Sequence, residues 1–376
     1  MAVYLDCNAT TPVDERVQRE VVHYLCEEFG NAGSRTHEYG NNAKKAVERA
    51  REQVASVVGA ERDEIFFTSG ATESDNIAVL GLAALGEREN RRHLVSTQIE
   101  HKAVLEPLEA LRARGFELTL LPPTAGGYVD ADAVAEAVRA DTLLVSVMHV
   151  NNETGVVQPL EDICSALDGH QAWFHVDAAQ GFGKELGPLK NPRIDMMSIS
   201  GHKLHAPKGV GALVARRRGF SRPPLEPLML GGGQERGLRP GTQPVHLIAG
   251  LGLAAELAGS ESGERDERCR RYKNKMLEAL APLGPVFNGD QARVLPSTVN
   301  LSFPGLDSEA VMLALKGLVA ISNGSACTSA SYTPSHVLAA MGASETQIAE
   351  ALRWSWCYLS DEPDWEEVRR AVEVLQ

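Results

Sequence analysis

His175-Val176-Asp177-Ala178-Ala179-Gln180 ends one apolar run of this chain, and Ser200-Gly201-His202-Lys203 ends the next. Segments 172–176 and 195–199 have strand length and are nearly all apolar, as expected of strands covered on both faces. Each therefore carries its terminal polar residues to an edge of a sheet. The Lys203 amine can condense there with an aldehyde cofactor. A carboxylate such as Asp177 can keep a pyridine nitrogen protonated, which turns the ring into an electron sink. The pairing of this lysine with an Asp and a Gln on the preceding apolar segment points to pyridoxal 5'-phosphate.

Outward from that pair, further strand-length runs occur at 64–68, 93–96, 117–121, 142–148 and 210–215. Helical patterns lie between many of them, at 43–58, 72–85, 102–114, 130–139 and 160–167. Such alternation predicts a three-layer α/β sandwich around a mainly parallel sheet. An apolar helix over 244–258 is followed by the polar run Gly259-Ser260-Glu261-Ser262-Gly263-Glu264, taken as a boundary. Beyond it come a charged helix, short strands near 285–287 and 298–303, and helices near 308–316, 345–351 and 365–375. The predicted organisation is a large domain over 15–258 and a smaller α+β domain built from 1–14 and 259–376.

Composition narrows the class. The 376 residues are 43% hydrophobic and 23% charged, ordinary for a folded globular chain, and the formal net charge is −13. That balance argues against a surface built to hold nucleic acid. The one dense basic cluster, Arg216-Arg217-Arg218, is expected to be a solvated strand end. No run approaches the roughly 18–20 apolar residues of a membrane span, and the N-terminus does not read as a signal peptide. The six cysteines, at 7, 26, 164, 269, 327 and 357, form no C-x-x-C pair and no zinc spacing with histidine. The expectation is a reduced, cytoplasmic protein without a metal site.

Four other segments carry chemistry. Thr68-Ser69-Gly70-Ala71-Thr72-Glu73-Ser74 follows a strand and opens a helix, a place for a phosphate or for an ordinary N-cap. His101 stands between a strand and a helix, where an imidazole can lie on a ring and move protons. Asn151-Asn152-Glu153-Thr154-Gly155 is a polar loop at a strand's C-terminal edge, where open α/β sheets bind ligands. Ser322-Asn323-Gly324-Ser325-Ala326-Cys327-Thr328-Ser329-Ala330-Ser331 sets a cysteine among small residues, the setting of an accessible thiol. The other cysteines sit in more apolar or helical surroundings and read as structural. Gly250-Leu251-Gly252-Leu253-Ala254-Ala255 fits a loose dinucleotide pattern but follows no strand, so tight helix packing is the expectation. Gly231-Gly232-Gly233 lacks the lysine and hydroxyl of a P-loop.

Taken together, these motifs resemble the cysteine desulfurases, which have the aminotransferase class V fold (fold type I of pyridoxal phosphate enzymes). The resemblance runs from Leu5-Asp6-Cys7-Asn8-Ala9-Thr10-Thr11-Pro12 to Arg353 and includes Arg239-Pro240-Gly241-Thr242. It implies that Lys203 anchors the cofactor, Asp177 pairs with its ring nitrogen, Gln180 with its hydroxyl, and His101 stacks on it. Ala71, Thr72, Ser200 and His202 would hold the phosphate, with Thr242 supplied by the neighbouring subunit of a homodimer. Asn31, Asn152 and Arg353 would hold the carboxylate of L-cysteine, and Cys327 would take its sulfur as a persulfide, leaving L-alanine. A sulfur-acceptor protein follows from that chemistry: an iron–sulfur scaffold, or the machinery of tRNA thiolation or DNA phosphorothioation. Selenocysteine lyases and transaminases share the fold, Lys203 and Asp177, and a transaminase has no need of an exposed thiol at Cys327. A sulfur-transfer scaffold without turnover would not need the full set. Cys7, Pro240 and Asn323 depart from the family pattern without removing a catalytic group.

Overall fold

The computed structural model describes residues 2–323 and 334–376. Its strands are β1 (Val3–Tyr4), β2 (Ile65–Thr68), β3 (His93–Thr97), β4 (Glu117–Leu121), β5 (Thr142–Ser146), β6 (Trp173–Asp177), β7 (Met196–Ser200), β8 (Gly211–Ala215), β9 (Val286–Phe287), β10 (Thr298–Ser302), β11 (Val319–Ala320) and β12 (Ala351–Ser355). Seven of them form one sheet in the order β2-β8-β7-β6-β5-β3-β4. Every neighbouring pair is parallel except those involving β8, which runs antiparallel to both β2 and β7. The sheet is mainly parallel, as the alternating pattern predicts.

Because side chains alternate across a strand, each apolar run serves both faces. Phe66, Leu144, Met196 and Leu213 pack on one side with Ile77, Leu82, Val104 and Leu108 of the helices Ala71–Leu80, Ala83–Glu89 and Lys102–Ala113 and the Leu82 turn between the first two. Phe67, Val145, Phe174, Met197, Ile199 and Val214 pack on the other. There they meet the helices Glu38–Val58, Leu160–Ala166 and Val245–Ser260. The glycines of the last helix serve that packing: a Cβ on Gly252 would lie 2.5 Å from Ala50 Cα.

A second core surrounds the three-stranded sheet β12-β10-β9, with Trp354, Trp356, Phe303 and Met276 among its buried members. Leu5 belongs to this core, and β1 pairs in parallel with β11, so the N-terminal strip lies with the C-terminal segments. The polar run read as a boundary is the junction of the helices Val245–Ser260 and Ser262–Leu280.

Three local expectations differ from the structure. Segment 72–85 is two helices, separated at Gly81 and Leu82. Segment 345–351 is the short helix Glu345–Glu350, after which the chain turns extended to form β12. The basic cluster is a solvated strand end only in part, at Arg217 and Arg218. Arg216 is buried and donates to the carbonyls of Val58, Leu189, Asn191 and Ile194, while Arg217 pairs with Asp63 and Arg218 with Asp195.

Candidate active site

Asp177 and Ser200 are the last residues of β6 and β7, so the parallel pairing puts them at one edge of the sheet. The turns after β3 and β5 bring His101 and Asn152 to the same edge, and the turn after β2 brings Gly70, Ala71 and Thr72. These residues line a cavity of about 500 Å³ together with Gln180, His202, Lys203 and Arg353.

Lys203 ends the one-turn 3₁₀ helix Gly201–Lys203. Its ammonium donates to the carbonyls of Asn8 and Ala9, the latter at 2.9 Å. Asp177 accepts the Ala179 N–H at 2.9 Å, and burial pushes its carboxyl above the ordinary value, with His101 and Lys203 opposing. His101 caps the helix Lys102–Ala113 through Nδ1, which accepts the Ala103 N–H at 3.1 Å. Burial holds its pKa down, so the ring is neutral. The Gln180 amide nitrogen donates to the Asn8 carbonyl at 2.8 Å, and its oxygen accepts from Lys184 at 3.1 Å.

Ala71 and Thr72, the first residues of the helix Ala71–Leu80, line the cavity with Ser200 and His202. His202 Nδ1 lies 3.1 Å from the Thr10 hydroxyl, and burial lowers its pKa to about 4. Elsewhere Arg353, from β12, is buried but for 1% of its side chain. Nη1 donates to the Asn152 carbonyl at 3.1 Å and Nη2 pairs with Asp6 at 2.6 Å. Nε has no hydrogen-bond partner among the described residues.

Two predicted site residues do not line this cavity. Asn31 sits on an exposed turn, where its side chain accepts the Gly33 N–H, and Thr242 is exposed on the segment before Val245–Ser260. Cys327 lies outside the described residues.

Other residues enter that motif reading did not assign. Asp6, Asn8 and Ala9 hold Arg353 and Lys203 from the N-terminal strip. Beneath the cavity, His175 is gripped by the hydroxyls of Ser146 and Ser198 at 2.8 and 2.9 Å and lies 3.5 Å from Asp75. Burial, then the Asp177 charge, drives the Asp75 carboxyl well up. Burial likewise raises Glu100 to about 8. Asp75 and Glu73 line the cavity with Asp177, and, against burial, hydrogen bonds from Arg239 and Ser69 hold the Glu73 carboxyl below its ordinary value.

A lysine and a buried carboxylate in one cavity, at the edge of a mainly parallel sheet, define a fold type I enzyme. The chain belongs to the class-V aminotransferases, whose family pattern matches residues 3–368, and among them to the cysteine desulfurases. It is 47% identical to cysteine desulfurase IscS of Methylococcus capsulatus over 356 residues, covering 94% of this chain and 87% of that one. DndA from Streptomyces lividans is similar in structure, with a TM-score of 0.82 and 53% identity over 93% of this chain and 98% of that one. SspA, solved in complex with cysteine, has a TM-score of 0.82 and 38% identity over 94% and 98%.

Proposed function

We propose that this cysteine desulfurase converts L-cysteine to L-alanine with pyridoxal 5'-phosphate held on Lys203, passing the sulfur to a persulfide on Cys327. The observation that carries this reading is one cavity shared by the Lys203 amine, the buried Asp177 carboxylate and the buried Arg353 guanidinium. The residues present fit the cofactor. Asp177 would pair with the ring nitrogen, neutral His101 offers a flat face, and Gln180 lines the same cavity. Ala71 and Thr72 at a helix N-terminus, with Ser200 and His202, suit its phosphate. Bound there, the cofactor supplies an electron sink for charge developing on the substrate's α-carbon.

The protein's own groups do the rest. Arg353 and Asn152 orient the substrate carboxylate; a planar guanidinium suits that two-point contact. Lys203 would anchor the cofactor, and its amine, when free, would take the substrate's α-proton. Asp177, as the counter-charge to the ring nitrogen, would hold a proton there and so support the electron sink. Cys327 as thiolate attacks the substrate sulfur, and the carbon–sulfur bond breaks.

The same reading makes the enzyme a cytoplasmic homodimer, with Thr242 supplied to the phosphate of the neighbouring subunit's site and Asn31 assigned to the substrate carboxylate. Exposed Leu228, Met229 and Leu230 support a covered surface next to Gly231-Gly232-Gly233. It keeps residues 15–258 as the cofactor-binding domain and 1–14 with 259–376 as the smaller one. A protein acceptor suits the net charge of −13 better than direct contact with nucleic acid.

Wild-type and Cys327→Ala protein incubated with L-cysteine test this reading. The expected result is alanine and sulfide from wild type, and cysteine bound without turnover in the variant. Full activity in the variant would contradict it.

A further inference from the structure

Cys7 and Cys357 stand 350 positions apart in sequence but meet at one hydroxyl. Ser360 Oγ lies 4.0 Å from Cys7 Sγ and 3.6 Å from Cys357 Sγ, and the Cys357 N–H donates to it at 3.0 Å. Both cysteines are buried and unbridged. Cys357 lines a second cavity, of about 50 Å³, together with Cys269, Lys184 and Lys203. Lys203 therefore forms a wall of both this cavity and the active site.

The thiols differ in character. The Cys7 thiol, then Ser360, hold Cys357 down to about 7 against burial, and the Lys184 charge adds to this. The same partnership and burial push Cys7 up, and burial raises Cys269 to about 12. One sulfur of the pair is thus poised as a nucleophile, opening onto space for a water-sized reagent, with a thiol beside it.

Cys7 also sits in the strip that holds the catalytic groups. Asp6 pairs with Arg353, Asn8 O accepts from Gln180 and Lys203, and Ala9 O accepts from Lys203.

We propose that Cys7 and Cys357 are a modification site: hydroperoxides convert them to a disulfide, and that bond pulls residues 6–9 away from Lys203. The second half rests on the role given to Lys203 above. Cys357 thiolate attacks a hydroperoxide oxygen, the O–O bond breaks, and the departing oxygen leaves as water or an alcohol after taking a proton. The resulting sulfenic acid is attacked by the Cys7 sulfur. The S–S bond forms and hydroxide leaves with the Cys7 proton as water. Two thiols lose one electron pair, and the peroxide accepts it. A disulfide holds its sulfurs about 2.05 Å apart, far inside a non-bonded contact, so the backbone carrying them must contract. In a reducing compartment such a bond is transient.

The test uses the cofactor-loaded Cys327→Ala enzyme, so that the loop thiol cannot contribute. It is treated with hydrogen peroxide, denatured, alkylated and mapped by mass spectrometry. The expected result is two fewer alkylated thiols and a cross-linked peptide pair containing Cys7 and Cys357, restored by dithiothreitol. Adding Cys357→Ser or Cys7→Ser abolishes the link. Full alkylation, or a linkage that bypasses this pair, would overturn the site. The rate at which hydroxylamine strips the cofactor is then compared before and after oxidation. A severalfold change is expected, and an unchanged rate with the bond formed would overturn the coupling to Lys203. A protein that purifies without cofactor would contradict the function proposed above, while the peptide map would still decide the disulfide.

Discussion

Asp6 closes one side of Arg353: its carboxylate accepts from Nη2 at 2.6 Å, while Nη1 donates to the Asn152 carbonyl. An arginine buried to this degree is fixed by an anion before any substrate arrives. Removing one partner of a buried pair leaves an uncompensated charge and costs roughly 3–5 kcal/mol, less here because 19% of the Asp6 side chain stays exposed. Asp6→Asn is therefore expected to lower stability by about 2–3 kcal/mol, a thermal shift of a few degrees. A bound amino-acid carboxylate replaces the lost anion, so L-alanine should raise the variant's melting temperature more than the wild type's. Equal shifts would show that Asp6 and the ligand do not share the guanidinium.

Arg353→Lys keeps the charge but loses the planar fork. The loss falls on binding of the carboxylate, which is the same in the ground and transition states. KM for L-cysteine should rise about 10- to 100-fold, the worth of roughly 1.5–3 kcal/mol of charge-assisted hydrogen bonding, with kcat little changed. A kcat loss with unaltered KM would remove Arg353 from the carboxylate site.

Glu100 gives the stability a pH dependence of defined sign. Its carboxyl accepts from Thr97 and the Met148 N–H, and burial raises its pKa from the ordinary 4.5 to about 8. The folded state thus keeps a proton that the unfolded chain gives up, and stability falls as pH rises from about 4.5 to about 8. The contribution is on the order of 4 kcal/mol across that window. Urea unfolding should show a smaller loss between pH 5 and pH 8 in Glu100→Gln than in wild type. Parallel pH profiles would mean that Glu100 is ionised in the folded protein.

Gly181 is needed for space. A Cβ there would come 1.8 Å from His149 Nδ1, and the His149 ring is fully buried beside the strand that delivers Asn152. Gly181→Ala should cost about 3 kcal/mol or more through overpacking, read as a lower urea midpoint. A neutral effect would mean that His149 has somewhere else to go.

The large sheet was legible because strands covered on both faces are written as short Val, Leu, Ile and Phe runs, and the observed strands fall within a few residues of those runs. The lysine, carboxylate and imidazole of the site were legible because each ends such a run. β12 was not: 345–351 carries a helical pattern, and nothing local marks the switch to extended chain at Ala351. Arg353 entered through family resemblance alone. Nor do residue types near position 7 say that Asp6, Asn8 and Ala9 support groups 172 to 347 residues away. Those contacts exist only once the N-terminal strip lies against β12. Cys26 also read as structural from its helical setting, yet it is exposed at the end of Glu15–Cys26.

The role of Lys203 is tested most directly by reducing the purified protein with borohydride and mapping the modified peptide. The expected result is a yellow protein whose visible band is lost on reduction, with a single pyridoxyl group on Lys203 and none in Lys203→Ala. A label on another lysine, or a colourless protein that takes up no pyridoxal phosphate, would contradict the account.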